Sequence, residues 1–187
     1  MSIIVAASVE ADLPARPDLP AAPDSAPTPE HLPTPEPPVP HVRSARLRDA
    51  PDLYALSRAF VRSGALRARS IGHYLSHAGE FLVAEGAGGD RVRGCLALRD
   101  EAPASAVLYN FCVAPGCQGQ GVGSELLRAA VERARRSEVR TLFTATTGSA
   151  RLFLRHGFVP VEPGDAPADW AAALDPARGS RVLRLTV

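Results

Sequence analysis

The stretch AVLYNFCVAPGCQGQGVGSELLRAAVERARR, residues 106–136, decides the fold. Ala106 to Val113 is the most strand-like run in the chain, and Ala114-Pro115-Gly116 ends it because proline cannot extend a hydrogen-bonded ladder. From Ser124 to about Arg136 the period changes to helical, with Val122, Leu126, Leu127, Ala130, Val131 and Ala134 along one face. Between the two lies Gln118-Gly119-Gln120-Gly121-Val122-Gly123. Glycines at two-residue spacing leave backbone N–H groups unobstructed, and the helix that follows adds the positive end of its dipole. Such a loop is an anion cradle, suited to phosphate oxygens without any side-chain charge. It is not the dinucleotide fingerprint, because the GxGxxG spacing is missing and no acidic residue follows about 20 positions on. Nor is it a P-loop, since GK[ST] is absent.

Reading outward, Val42 to Leu47 is a short strand, and Asp49 with Pro51 opens a helix carrying Leu53, Leu56 and Phe60 on one side. Ser70 caps a second short helix reaching about His77. Phe81 to Glu85 and Arg91 to Leu98 form a hairpin across Gly86-Ala87-Gly88-Gly89-Asp90, and a second turn spans Asp100 to Ser105. Beyond the long helix come a strand at Arg140 to Ala145, a helix at Ser149 to His156, a strand at Gly157 to Val161 and a terminal strand at Val182 to Val187. That order predicts a mixed α/β fold with an antiparallel front half.

Composition splits the chain near residue 40. Of 18 prolines, 11 fall in the first 40 residues, so the segment lacks the apolar content to offset its ordering entropy; we expect a disordered, Pro-rich acidic tail over 1–40 and one domain over 41–187. The tail holds six acids against Arg16, net −5, while the domain holds 20 arginines and 14 acids, net +6. A modest positive excess without a clustered basic stripe suits a small anionic ligand and argues against nucleic acid. No run approaches a membrane span and no signal peptide precedes the domain, which points to the cytoplasm. Cys95, Cys112 and Cys117 form no CxxC pair and have no His/Cys spacing, so neither a metal nor a disulfide framework is expected. Oligomeric state stays open, a homodimer being among the options.

Gln118-x-x-Gly121-x-Gly123, preceded by Val113-Ala114-Pro115 and followed by Arg155-His156-Gly157-Phe158, resembles the acetyl-CoA motif of the GNAT N-acetyltransferase superfamily over residues 42–187. The resemblance implies a mostly antiparallel central sheet with flanking helices. It also implies that Phe111, Cys112 and Val113 present backbone to the pantetheine arm of acetyl-CoA, and that Gln118, Gly119, Gln120, Gly121, Val122, Gly123 and Ser124 take the pyrophosphate. Three further segments are similar to the N-acetylglutamate synthases: Leu66-Arg67-Ala68-Arg69-Ser70 to L-x-P-R-S, Leu142-Phe143-Thr144-Ala145-Thr146-Thr147 to L-F-x-L-T-T, and Arg178-Gly179-Ser180-Arg181-Val182-Leu183 to R-x-S-K-V-L. These imply N-acetylation of the α-amino group of L-glutamate, with Arg69, Arg178 and Ser180 gripping its carboxylates and Leu66 lining the apolar side.

The sequence departs from the family pattern at the acid–base positions. Val107 stands where many members carry Glu on the strand before the loop, and Phe153 stands where many carry Tyr. Tyr109, on the same strand face as Val107, is the nearest titratable replacement and the candidate catalytic residue, with Glu85 as another. Cys112 and Cys117 lack an activating neighbour and are assigned to packing. Two other readings stay open: acetylation of a different amine, and a catalytically degenerate CoA-binding module.

Overall fold

Side-chain alternation along Ser105–Val113 sets which face of the sheet each residue joins, and it changes phase once. The computed structural model describes residues 40–86, 91–101 and 104–187. Ala106 and Leu108 join one core cluster while Val107 and Tyr109 join the other, as period 2 requires; then Phe111 and Val113 return to the first cluster and Cys112 to the second. The slip falls at Asn110, whose φ of 50° puts it in the left-handed region, and the pairing jumps from Ala97↔Tyr109 to Cys95↔Cys112. This is a β-bulge.

Among the described residues seven strands form one sheet: β1 (His41–Ser44), β2 (Phe81–Glu85), β3 (Val92–Asp100), β4 (Ser105–Val113), β5 (Thr141–Thr146), β6 (Val159–Val161) and β7 (Arg181–Thr186). Their spatial order is β1-β2-β3-β4-β5-β7-β6, antiparallel throughout except for β4 beside β5. Pro160 sits in the edge strand β6, where a missing ladder donor is tolerated. The helices are α1 (Ala50–Arg62), α2 (Ile71–Ser76), α3 (Val122–Arg136), α4 (Arg151–Arg155) and α5 (Ala168–Ala172). Helix α3 buries Val122, Leu126, Leu127, Ala130 and Ala134 against Leu82, Leu96, Leu108, Phe111 and Val113. Helices α1, α2 and α5 cover the opposite face, where Leu53, Tyr74, Phe81, Tyr109, Phe143 and Trp170 meet.

The expected order of elements is the observed one, with small differences that have local causes. Strand β1 stops at Ser44 because residues 47–49 turn into a 3-10 helix, and Asp49 does not cap α1 with its carboxylate. That carboxylate accepts from the backbone N–H of Arg46 at 2.6 Å and from Arg43 Nη1 at 2.7 Å. Ser70 does cap α2, accepting from the His73 N–H at 3.3 Å. Helix α5 and the 3-10 turns at 163–165 and 176–178 were absent from the sequence reading. The expected tail over 1–40 lies outside the described residues except for Pro40, as does most of the turn over 86–90 and part of that over 100–105.

Candidate functional site

The site begins where β4 and β5 part. They pair at Ser105↔Thr141, Ala106↔Leu142 and Val107↔Phe143, and no further, although β4 runs on to Val113 and β5 to Thr146. Thr144 Oγ1 donates to the Leu108 carbonyl at 3.2 Å, marking the branch point. Past it the two strands diverge, so the β5-facing edge of β4 from Tyr109 onward has backbone groups that a ligand can pair with as a strand would. The bulge inside this segment is clamped from the helices: Asn110 Nδ2 donates to Ser57 Oγ on α1 at 2.9 Å, and Tyr74 Oη on α2 donates to Asn110 Oδ1 at 3.3 Å. All three side chains are buried. Asparagine tolerates left-handed backbone better than any β-branched residue, which is why a polar residue can stand in this apolar run.

Phe111, Cys112 and Val113, expected to face the pantetheine arm, lie on the diverging part of β4 with their side chains buried in the two cores. What these three residues can offer a ligand is therefore backbone. Burial pushes the Cys112 thiol well above its ordinary value, in keeping with packing and not nucleophilic chemistry. From Gln118 to Gly121 the loop is exposed, and Gly119 and Gly121 have φ of 76° and 80° with open space where a Cβ would sit. Gly121 is the N-cap of α3 and offers no side-chain cap, so the first-turn amides of Val122, Gly123 and Ser124 point out without an intrahelical acceptor. Gln120 Nε2 donates to the Gly116 carbonyl at 2.7 Å, bracing the loop from within. Gly123 has a different reason to be glycine: a Cβ there would meet Leu152 at 2.9 Å and Phe111 at 3.2 Å, so its absence lets α3 start close against β4 and α4.

On the α1/α2 face the other expected residues gather. The loop between α1 and α2 meets the turn before β7: Arg178 Nη2 donates to the Gly64 carbonyl, and Arg67 pairs with Asp175 at 3.6 Å. Two stretches more than a hundred residues apart, carrying Arg69 and Arg178, are thereby joined. Ser180, half-buried, leads from this turn into β7, and Leu66 is buried in the core of this face. Arg69 is half-buried, its guanidinium 5.2 Å from the centroid of the Tyr109 ring. Burial pulls its pKa down, opposed by the nearby Tyr109 and Tyr74. Among the described residues Arg69 has no carboxylate within salt-bridge distance.

Tyr109 is buried and its phenol donates to Glu80 Oε2 at 2.5 Å. Burial, then the Glu80 carboxylate, drives the phenol pKa far above its ordinary value. A phenol so held keeps its proton. His73 packs beside the same ring at 6.3 Å and stacks on His77 at 4.3 Å. Its pKa is pushed down to about 4 by burial, Arg69, His77 and Arg99, so it is neutral at pH 7. Glu80, His73, Ser57, Tyr74 and Asn110 were all missed by sequence reasoning. The one available signal was Asn110, a turn-former inside an apolar strand run.

Comparison with known proteins bears on the fold and the family. Residues 77–160 match the Acetyltransferase (GNAT) domain family. The chain carries a GNAT acetyltransferase domain. It is 30% identical over 127 residues to an amino-acid acetyltransferase of Neisseria meningitidis, covering 67% of this chain and 29% of that protein. The corresponding figures for an Aeromonas salmonicida amino-acid acetyltransferase are 31% over 150 residues, 78% and 33%. The chain thus spans about a third of the length of these relatives. Among solved structures, the N-acetylglutamate synthase of Neisseria gonorrhoeae, complexed with coenzyme A and N-acetyl-glutamate, superimposes with a TM-score of 0.73 at 28% identity, over 79% of this chain and 35% of that one. A Mycobacterium tuberculosis protein in complex with CoA and NLQ shares the fold, with a TM-score of 0.69 at 23% identity over 79% of this chain and 99% of that one.

The GNAT domain of this chain lacks acid–base side chains at the two positions noted from the sequence. Val107 is fully buried, and Phe153 is buried with its ring 5.7 Å from Phe111 and 5.4 Å from Phe158. Glu85, the other carboxylate considered, is committed elsewhere: Arg43 Nε donates to its Oε1 at 2.7 Å and holds its pKa down, and it lies on β2, two strands from the cleft. Among the described residues no three His, Cys, Asp or Glu side chains converge as a metal site, and no helix is long and apolar enough to cross a membrane.

Proposed function

We propose that this chain transfers the acetyl group of acetyl-CoA to the α-amino group of L-glutamate. The observation that carries the reading is Arg69: a half-buried, desolvated guanidinium with no carboxylate in salt-bridge distance among the described residues, on the loop to which Arg178 is bonded through the Gly64 carbonyl. A desolvated cation left unpaired by the fold is matched by an anionic ligand, and a carboxylate fits its planar donor fork. The relatives named amino-acid acetyltransferase and the synthase solved with N-acetyl-glutamate support the same substrate class.

Acetyl-CoA fits the other half of the site. The loop and first-turn amides of Gln118 to Ser124 hold its pyrophosphate, and the diverging edge of β4 over Phe111, Cys112 and Val113 pairs with the pantetheine arm. Backbone N–H of the diverging part of β4, near Val113, polarises the thioester carbonyl. Arg69, Arg178 and Ser180 orient glutamate so that its amine is presented to that carbonyl, which brings the proximity advantage of a bound nucleophile. With Val107 and Phe153 apolar, water takes the ammonium proton and returns one to the leaving thiolate.

A second reading, CoA binding without turnover, is favoured by those two apolar positions. Release of free thiol from acetyl-CoA, followed across 20 amino acids and several polyamines, separates the readings. Glutamate-dependent thiol release supports the proposal, preference for a cationic amine points to another substrate, and no release with any amine leaves the binding module.

A further inference from the structure

Tyr109 is tied down at three points. Its ring shares a row across the sheet with Ala97 on β3 and Phe81 on β2, and the small Ala97 lets the ring reach over to Phe81, 5.7 Å away and edge-on at 68°. Its hydroxyl is fixed by Glu80, at the turn that opens β2. Two guanidiniums lie near its ring, Arg69 at 5.2 Å and Arg99 at 6.0 Å, but they differ in what else they hold. Arg99 is neutralised by Glu101, with Nε 2.9 Å from Oε1. Arg69 has the ring and, among the described residues, no carboxylate in salt-bridge distance; Glu80, whose charge it feels, is bonded to the Tyr109 hydroxyl.

We propose that Tyr109 and Glu80 are positioning residues: an anchored aromatic plate that holds the Arg69 guanidinium where a substrate carboxylate meets it. The inference rests on the reading that Arg69 receives a glutamate carboxylate. A guanidinium on a long flexible stem sweeps a wide volume unless something fixes it, and a carboxylate partner from the protein would compete with the ligand. An aromatic face orients the cation without neutralising it. The phenol donates a hydrogen bond to the Glu80 carboxylate, which pushes electron density from the oxygen into the ring and strengthens its attraction for the cation. The same bond keeps the proton on Tyr109, so the residue acts by placement and not by proton exchange.

The test compares Tyr109→Phe, Tyr109→Leu, Glu80→Gln, Arg69→Ala and the Tyr109→Leu/Arg69→Ala double variant in steady-state kinetics, with CoA affinity by calorimetry as the check on folding. Phe keeps the plate and loses the anchor: glutamate KM rises about threefold while kcat holds. Leu loses the plate: glutamate KM rises roughly tenfold, while kcat and the KM for acetyl-CoA stay near those of the parent. Glu80→Gln, which keeps the side-chain shape, gives a rise like that of Phe and stands in should Leu fail the folding check. The double variant is no worse than Arg69→Ala alone, because the plate has nothing left to hold. A hundredfold drop in kcat for Tyr109→Phe at unchanged glutamate KM, or additive effects in the double variant, overturns the plate while glutamate turnover by the parent upholds the enzyme. No glutamate turnover by the parent overturns both.

Discussion

Among the 20 arginines of residues 41–187, Arg69 differs in being half-buried over an aromatic ring with, among the described residues, no carboxylate in salt-bridge distance. If it and Arg178 grip the two carboxylates, replacing either by Ala raises glutamate KM by roughly ten- to a hundredfold, since each charge-assisted contact is worth about 1.5–3 kcal/mol. Lys at either position falls between parent and Ala, restoring charge without the fork. Glutamine compared with glutamate shows which Arg holds the side-chain carboxylate: that variant loses the parent's preference. The opposite half of the site is tested at Gly121, where Val is strained at φ 80° and would fill the open space before the loop. Gly121→Val should abolish acetyl-CoA binding in calorimetry while circular dichroism stays that of the parent. The Gly-rich loop was legible at this scale because it is a run of residue types at fixed spacing, whereas Arg69 and Arg178 stand out from the other arginines only through the resemblance to the synthase segments. Glu80 was not, because its meeting with Tyr109 depends on β2–β3–β4 register and not on distance along the chain.

At the scale of elements, the bulge in β4 is the feature a sequence hides. Period 2 from Ala106 to Val113 reads as an unbroken strand, and nothing in the spacing says that Asn110 will step out of the ladder. The cause is partly tertiary, since Ser57 on α1 and Tyr74 on α2 close on its amide. Asn110→Gly keeps left-handed backbone available and loses the clamp; Asn110→Ala loses the clamp and adds ~1 kcal/mol of backbone strain. Thermal unfolding should rank parent, then Gly, then Ala, and kcat should fall for both variants if the clamp aims the backbone amides. Helix α5 was illegible for a different reason: prolines 163, 167 and 176 read as loop, and a five-residue helix held by burial of Trp170 carries no periodicity to detect. Helix α2 supplies a pH signature through His73. Its folded pKa of about 4 lies below the ordinary 6.5, so the unfolded chain binds the proton first, and its contribution to stability is whole above pH 6.5 and lost as pH falls toward 4. His73→Asn should flatten the decline in melting temperature between pH 6.5 and 4.5; an unchanged slope would put that decline elsewhere.

At the scale of the whole molecule, every strand and both core clusters among the described residues lie within residues 41–187, so a chain beginning at Pro40 should melt within about a degree of the full-length protein. At the sheet edge Arg43 ties β1 to the start of α1 and to β2 through Asp49 and Glu85, both held ionised by that guanidinium. The Gly-rich loop joins β4 to α3 on one face of the sheet, the segments carrying Arg69 and Arg178 lie on the α1/α2 face, and the proposed acetyl transfer joins the two. Its most direct test is thiol release from acetyl-CoA by the full chain with L-glutamate, L-glutamine, L-lysine and spermidine in parallel, with the product identified by mass. The account predicts glutamate-dependent release with N-acetylglutamate as product and kcat/KM highest for glutamate. Release that favours lysine or spermidine, or none with any of the four, would contradict it.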